Sequence, residues 1–298
     1  VTCLVWLCGT IPVVQIIRWV HGEIDVRTVG NYIIAVAAMQ CILAQMIDKI
    51  PAFSQWVDSL FHFGQQFYRR GHRLYGIGCA LDVAGTRMAA TLVICAFLII
   101  YCEREKSKTL VPIYIFAFCL IIALGNMICR TTTVGALIGL TCLIFFSLSG
   151  SMDSQTNVKL WGWFFGILFL VIPLLISLYN TDKAVHDNLR FGFEGFFSYF
   201  ETGKFETNST NTLQTMYVWP DNMKTWVIGD GYFLGAGNDE FYIGENAKGF
   251  FYMDTDVGVC RFIFYCGLIG LSIFAIFFLV TANVCTNYHH EYKWMFYA

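Results

Sequence analysis

Of the 298 residues, 57% are hydrophobic and only 13% are charged, with a formal net charge of −2 and a mean hydropathy of +0.58. Water-soluble domains carry about 25% charged residues, so one or two ordinary soluble domains are excluded. The chain has no basic tract, which removes nucleic acid as a partner, and too much apolar content to be disordered.

In chain order, apolar segments occupy 1–19, 29–47, 83–101, 110–129, 131–149, 160–179 and 262–284. Each is about long enough to cross the roughly 30 Å hydrocarbon core of a bilayer. Each is expected to be helical, because a lone segment in lipid must satisfy its own backbone N–H and C=O groups. The expected fold is therefore all-α, a polytopic transmembrane helical bundle of about seven spans. Residues 1–180 hold most of the helices, 181–259 form a long loop between the last two complete spans, and 260–298 hold the last complete span and the opening of another. Because Val1 already lies in an apolar segment, the chain is read as a fragment of a longer multi-span protein.

Within the first region, the apolar residues Phe53, Trp56, Val57, Leu60, Phe61, Gly64, Phe67 and Tyr68 recur at helical spacing over 51–68, with Asp58, Gln65 and Gln66 off the stripe. This predicts either an amphipathic helix in the membrane interface or a connecting helix packed on the bundle. Pro112 falls where a first helical turn tolerates it, whereas Pro173 lies inside a span and is expected to kink it. Gly135 and Gly139 form a G-x-x-x-G step, which predicts a close helix–helix contact. The twelve cysteines show no C-x-x-C or Cys/His spacing, so no metal site is expected, and no cofactor fingerprint is present.

The short loop at 102–109 is basic enough to be cytoplasmic, and alternation then places 48–82 and 181–259 on the outer side. Arginines and lysines nearly balance across the two sides, so either a substrate accounts for the outer ones or the topology is inverted. A connecting segment of roughly 80 residues is functional or a small domain in its own right.

Charge in the spanning segments is concentrated in a few arginines. Arg87 is expected about 22 Å along its helix from the cytoplasmic loop, still within the hydrocarbon layer. Arg130 closes the next span, and the two helices are expected to be antiparallel neighbours. An ionisable residue at such depth marks a functional site, although Arg130 is equally placed to snorkel to the interface. Arg73, Asp82, Arg190, Asp254, Asp256 and Arg261 fall on the same side. Guanidinium groups are planar and permanently charged, which suits phosphate. The cluster therefore predicts a site for a lipid-linked phosphate or pyrophosphate. Asp256 is read either as a base on a sugar hydroxyl or as the ion-pair partner of Arg261.

Three stretches resemble the bacterial O-antigen polymerase and ligase family of integral-membrane glycosyltransferases. They are Arg73 to Arg87, then Arg130-Thr-Thr-Thr-Val-Gly135, and finally Ile228-Gly-Asp-Gly-Tyr232 through Asp256 and Arg261 to Gly270. The ligases place a His-containing pair before the last span. Here the pair is Thr255-Asp256, so the likeness is closer to the polymerases of O-antigen or capsular polysaccharide clusters. The resemblance implies a multi-pass protein of the bacterial inner membrane whose 181–259 loop is periplasmic. It implies transfer of a growing glycan from undecaprenyl pyrophosphate to an incoming lipid-linked repeat unit, with no cofactor. Arg73, Arg87, Arg130 and Arg190 would bind pyrophosphate, and Asp256 and Arg261 would be catalytic. Lipid-linked glycans, the bilayer and other assembly proteins such as a chain-length regulator would be its partners. A transporter or flippase for a lipid-linked or anionic substrate is the alternative. Such a protein would show inverted repeats and broken helices.

Overall fold

The computed structural model describes residues 2–61, 73–104, 110–149, 154–235 and 251–298. Among the described residues the regular structure is helical, joined by two isolated bridges, Gly76 with Cys79 and Leu234 with Phe251. The first seven long or connecting helices are α1 (Thr2–His21), α2 (Val26–Lys49), α3 (Pro51–Leu60), α4 (Leu81–Arg104), α5 (Val111–Ile128), α6 (Thr132–Leu148) and α7 (Ser154–Thr181). They are followed by α8 (Lys183–Gly192), α9 (Glu194–Thr202), α10 (Asn208–Thr215), α11 (Met223–Ile228), α12 (Gly258–Tyr288) and α13 (Lys293–Tyr297). A helix covers each of the seven predicted apolar segments. Of the 51–68 prediction, α3 is observed, and residues 62–68 lie outside the described part, as do His72 and the centre of the long loop at 236–250.

Five of these helices, α2, α4, α5, α7 and α12, are long and apolar enough to cross a membrane, while α6 is apolar but only 17 residues long. Only 6% of the most apolar stretch of α7 is buried, and Phe165, Phe169 and Leu170 are 62%, 79% and 72% exposed. So large a continuous apolar surface is unfavourable in water and favourable in lipid. Pro112 sits in the first turn of α5, and Pro173 lies inside α7.

The chain forms two compact units, one through Phe193 and one from Glu194 to Tyr297. This division falls between the sequence-based boundaries at 180 and 259, because α8 packs on α5 and α7 in the first unit while α11 packs on α12 in the second.

Central to the first unit is α4, whose stretch from Thr91 to Cys102 is apolar and largely buried. Leu92, Cys95, Ala96, Phe97 and Leu98 are each at most 1% exposed beneath α2, α5 and α6. Gly135 and Gly139 bring α6 against α4: a Cβ on Gly135 would run into the Ala89 backbone, and one on Gly139 would meet Phe118 at 3.1 Å. The predicted glycine step is thus a helix contact, made with the α4 backbone at Ala89 and Leu92, two elements back, and at Gly139 also with Phe118 of the sequence neighbour α5. Tyr114 donates its hydroxyl hydrogen to Asn31 Oδ1 at 2.5 Å, tying α5 to α2.

In the second unit, α12 is broken at Gly267, whose φ of 62° and ψ of −172° lie outside the range open to other residues. The break frees carbonyls that a continuous helix would have paired. Phe264 C=O accepts the Asp230 N–H at 2.6 Å, and Tyr265 C=O accepts the Gly231 N–H at 3.2 Å. Broken helices survive in membranes when freed backbone groups find such partners. Gly267→Ala adds a Cβ in a glycine-only conformation and drives it into Val227 O. The expected loss is about 3 kcal/mol or more from strain and overpacking combined, read as a lowered melting temperature in detergent. An unchanged melting temperature would show that the break is not required.

Candidate functional site

The first cluster is assembled by three returns of chain to one end of the first bundle. Leu74 N–H donates to Met127 C=O at 3.1 Å, which ties the segment before α4 to the end of α5. Gly76 N–H donates to Cys79 C=O at 2.7 Å, so that segment turns back on itself. At the third return, Asp182 Oδ1 accepts the N–H groups of Ala184 and Val185 at 2.9 and 3.2 Å and starts α8. Gly192 then passes so close to Asn126 that a Cβ there would stand 3.0 Å from its backbone.

These constraints fix Phe191, and two predicted arginines converge on its ring. The guanidinium carbon of Arg130 lies 4.3 Å from the ring centroid and that of Arg73 lies 4.8 Å from it. Arg130 also donates its Nε–H to Phe191 C=O at 2.8 Å. The two guanidinium carbons are therefore within about 9 Å of one another. At that distance two like charges repel by about 2 kcal/mol for an effective dielectric constant near 20. An anion within reach of both would offset that repulsion. Arg190, half-buried, adjoins Phe191 in the last turn of α8.

Arg87 lies in the second turn of α4 and is exposed, and its guanidinium reaches back to donate to Gly78 C=O at 3.4 Å. Its charged head is thus carried out towards the helix start, the direction in which helical side chains lean. Burial pushes the Cys79 thiol up, and the charge of Arg87 only partly offsets this, so Cys79 is a neutral thiol at physiological pH. Asp82 accepts a weak hydrogen bond from Cys129 Sγ at 3.8 Å, and Gly85 abuts Cys129 and Thr131. The starts of α4 and α6 and the Arg130 turn are therefore one packed region. His186 is engaged by Asp187 at 3.0 Å and by the Tyr179 ring at 4.4 Å, as a structural histidine.

Near the same end of the bundle, Lys49 Nζ donates to Asp182 Oδ2 at 2.7 Å, joining α2 to the start of α8. This hydrogen bond, followed by the α8 N–H groups, holds the Asp182 carboxyl below its ordinary value of 3.8. A carboxyl whose folded value is depressed stabilises the fold above its unfolded value and loses that contribution as pH falls through the folded one. Asp182→Asn keeps the cap and removes the charge. Wild type is expected to melt slightly above Asp182→Asn at neutral pH, with the gap closing below pH 3.8. A gap that persists in strong acid would contradict the ion pair. The pair is exposed, so the difference is small.

The second cluster belongs to the second unit. Arg261, in the first turn of α12, has 15% of its side chain exposed and donates from Nη1 to Asp256 Oδ1 at 3.0 Å. Its guanidinium carbon lies 4.0 Å from the Phe233 ring centroid and 4.1 Å from that of Phe251. Ion pair and ring faces together offset the desolvation of a charge that cannot be neutralised. Its buried Nε–H has no acceptor among the described residues. Asp256 is 44% exposed and uses only Oδ1 towards Arg261. Asp254 is exposed beside it, with a positive φ of 53°.

One turn further along α12, Asp230 is fastened by its backbone to Phe264. Its Oδ1 accepts from Thr225 Oγ1 at 2.7 Å and its Oδ2 from the Tyr252 hydroxyl at 3.3 Å. Asp230 was not among the sequence candidates, although the Gly229-Asp-Gly231 turn around it was a signal. Phe191, Phe233 and Phe251 were also missed. Nothing in an aromatic-rich sequence marks which rings will lie beneath a cation.

Arg73 and Arg130 thus meet on one ring, Asp256 meets Arg261, and Arg87 turns to the Gly78 carbonyl. Compared with family models, curated proteins and solved structures, the chain matches none of them.

Proposed function

We propose that the protein is a multi-pass inner-membrane glycosyltransferase of the O-antigen or capsule polymerase kind. It acts at the periplasmic face on undecaprenyl-pyrophosphate-linked repeat units. The observation that carries this reading is the pair of guanidiniums, Arg73 and Arg130, gathered on Phe191 at one end of a bundle of apolar helices. Two fixed cations at that position suit a pyrophosphate whose tail lies in lipid.

In this reading the acceptor hydroxyl oxygen attacks the anomeric carbon and the bond from that carbon to the pyrophosphate oxygen breaks. The bonding pair leaves with the pyrophosphate. Arg73 and Arg130, assisted by Arg87 and Arg190, stabilise the negative charge as it develops on the leaving group. The hydroxyl proton passes to water. Within the second unit, Arg261 holds Asp256 Oδ1 and leaves Oδ2 able to accept a proton. Pyrophosphate leaves readily, so a weak base suffices.

Deleting the gene is expected to replace long surface polysaccharide by single repeat units, seen by gel electrophoresis of the extracted glycans. Normal chain length would overturn the reading. The transporter alternative draws on one feature, the break in α12 at Gly267, because broken apolar helices are common in transporters. Movement of a lipid-linked oligosaccharide across proteoliposomes, without chain extension, would favour it.

A further inference from the structure

The end of α2, the start of α3, the segment before α4 and the first turns of α8 line an open cavity of about 340 Å³. Its lining includes Asp48, Ser54, Arg73, Tyr75 and Asn188, with an apolar wall at Ile47. Ser54, Tyr75 and Asn188 are 4%, 6% and 6% exposed, so three hydrogen-bonding side chains are held in the interior beside the cavity. Lys49 is shared between Asp182 at 2.7 Å and Asp48 at 3.6 Å, and it engages only Oδ2 of Asp48, so the Asp48 carboxylate keeps capacity to accept a hydrogen bond from a ligand.

The two charges decide the class of ligand. Arg73 lines the cavity and also shares the Phe191 ring with Arg130, so the cavity wall carries a cation as well as the Asp48 carboxylate. A bare phosphate filling the space would set an anion against Asp48, and a cationic ligand would meet Arg73. A molecule with a phosphate at one end and neutral hydroxyls at the other satisfies both groups. The volume is at the small end of the roughly 300–1,000 Å³ range of ligand pockets, which suits one sugar ring and its phosphate rather than a whole repeat unit.

We propose that this cavity binds the phosphate-proximal sugar of a phosphosaccharide, with Arg73 at the phosphate and Asp48, Ser54 and Asn188 on the ring hydroxyls. The inference rests on the glycosyltransferase reading for its lipid-linked source; a soluble sugar phosphate has the same chemistry. It makes Asp48 a specificity-determining residue for the sugar and assigns it no part in breaking the bond.

The test uses the full chain in phosphatidylcholine nanodiscs and measures affinity for three probes. These are undecaprenyl pyrophosphate, the same lipid bearing a single hexosamine, and soluble hexosamine 1-phosphate. Asp48→Asn is expected to weaken the sugar-bearing lipid about tenfold, the effect of losing a hydrogen bond to a charged group. It leaves undecaprenyl pyrophosphate unchanged, which also shows that the variant is folded. Arg73→Gln weakens both lipids. A soluble probe that binds more tightly than the sugar-bearing lipid, with the same Asp48 dependence, assigns the cavity to a soluble phosphosaccharide. Unchanged affinity for the sugar-bearing lipid in Asp48→Asn, or equal loss for the sugar-free one, overturns the proposal. Because binding is read without turnover, Asp48-dependent binding in a protein whose deletion leaves glycan length normal would overturn the polymerase reading alone. Loss of long chains on deletion with Asp48-independent binding would overturn this inference alone.

Discussion

On the proposed polymerase function, Arg130→Ala is expected to lower polymer synthesis by about 100- to 1,000-fold, the usual result of removing one preorganised stabiliser of developing charge. The residue is held at three points: by the turn between α5 and α6, by its Nε–H on Phe191 C=O at 2.8 Å, and by the face of the Phe191 ring. Losing that hydrogen bond and ring contact costs about 2 kcal/mol of stability, which most folded proteins survive. The variant should therefore still insert and accumulate. Arg130→Lys keeps a positive charge but has neither the Nε–H nor the planar fork, so an intermediate activity is expected. Chain length on gels, normalised to protein in the membrane, measures both variants. Full-length glycan from Arg130→Ala at normal protein level would reject a phosphate site at Phe191.

Gly135→Ala should affect the fold as strongly as Gly267→Ala. Helix propensity alone favours alanine by about 1 kcal/mol. Against this, the added Cβ runs into the Ala89 backbone, which cannot rotate away as a side chain would. The helices α4 and α6 must then separate, uncovering the neighbouring buried residues Met88, Leu92 and Ala136. Overpacking of this kind costs about 3 kcal/mol or more when the obstacle is backbone, so the clash outweighs the propensity gain. Gly162 and Gly166 in α7 provide the control, because a Cβ on either meets nothing within 4 Å. Alanine there should leave the melting temperature in detergent unchanged or slightly raised. A Gly135→Ala protein as stable as wild type would contradict the close crossing of α4 and α6.

These glycines show how far the sequence could be read. The G-x-x-x-G step announced a close contact but not its partner, since small residues permit approach to any helix. The partner is α4 because Ala89 and Leu92 present their backbone to Gly135 and Gly139. Arg87 is a second case. Counting residues along the chain placed it about 22 Å along its helix, still within the hydrocarbon layer; the tertiary structure adds that its side chain leans towards the helix start, where the guanidinium donates to the Gly78 carbonyl. The Asp256–Arg261 pair was legible as five residues on the way into a helix, and its ion pair is local. The rings that flank Arg261 come from positions 233 and 251, and no local pattern could select them.

The sequence by itself determined that the chain is helical and bilayer-compatible, and where its apolar segments begin and end. Both follow from local composition, because lipid requires each segment to satisfy its own backbone. Only the tertiary structure decided which charges share a ring, that α12 breaks and is repaired by the Asp230 turn, and that Asp48 and Arg73 line one cavity. Those features depend on contacts between residues far apart in the chain. Their energies arise from close approach and burial, which hydropathy does not encode.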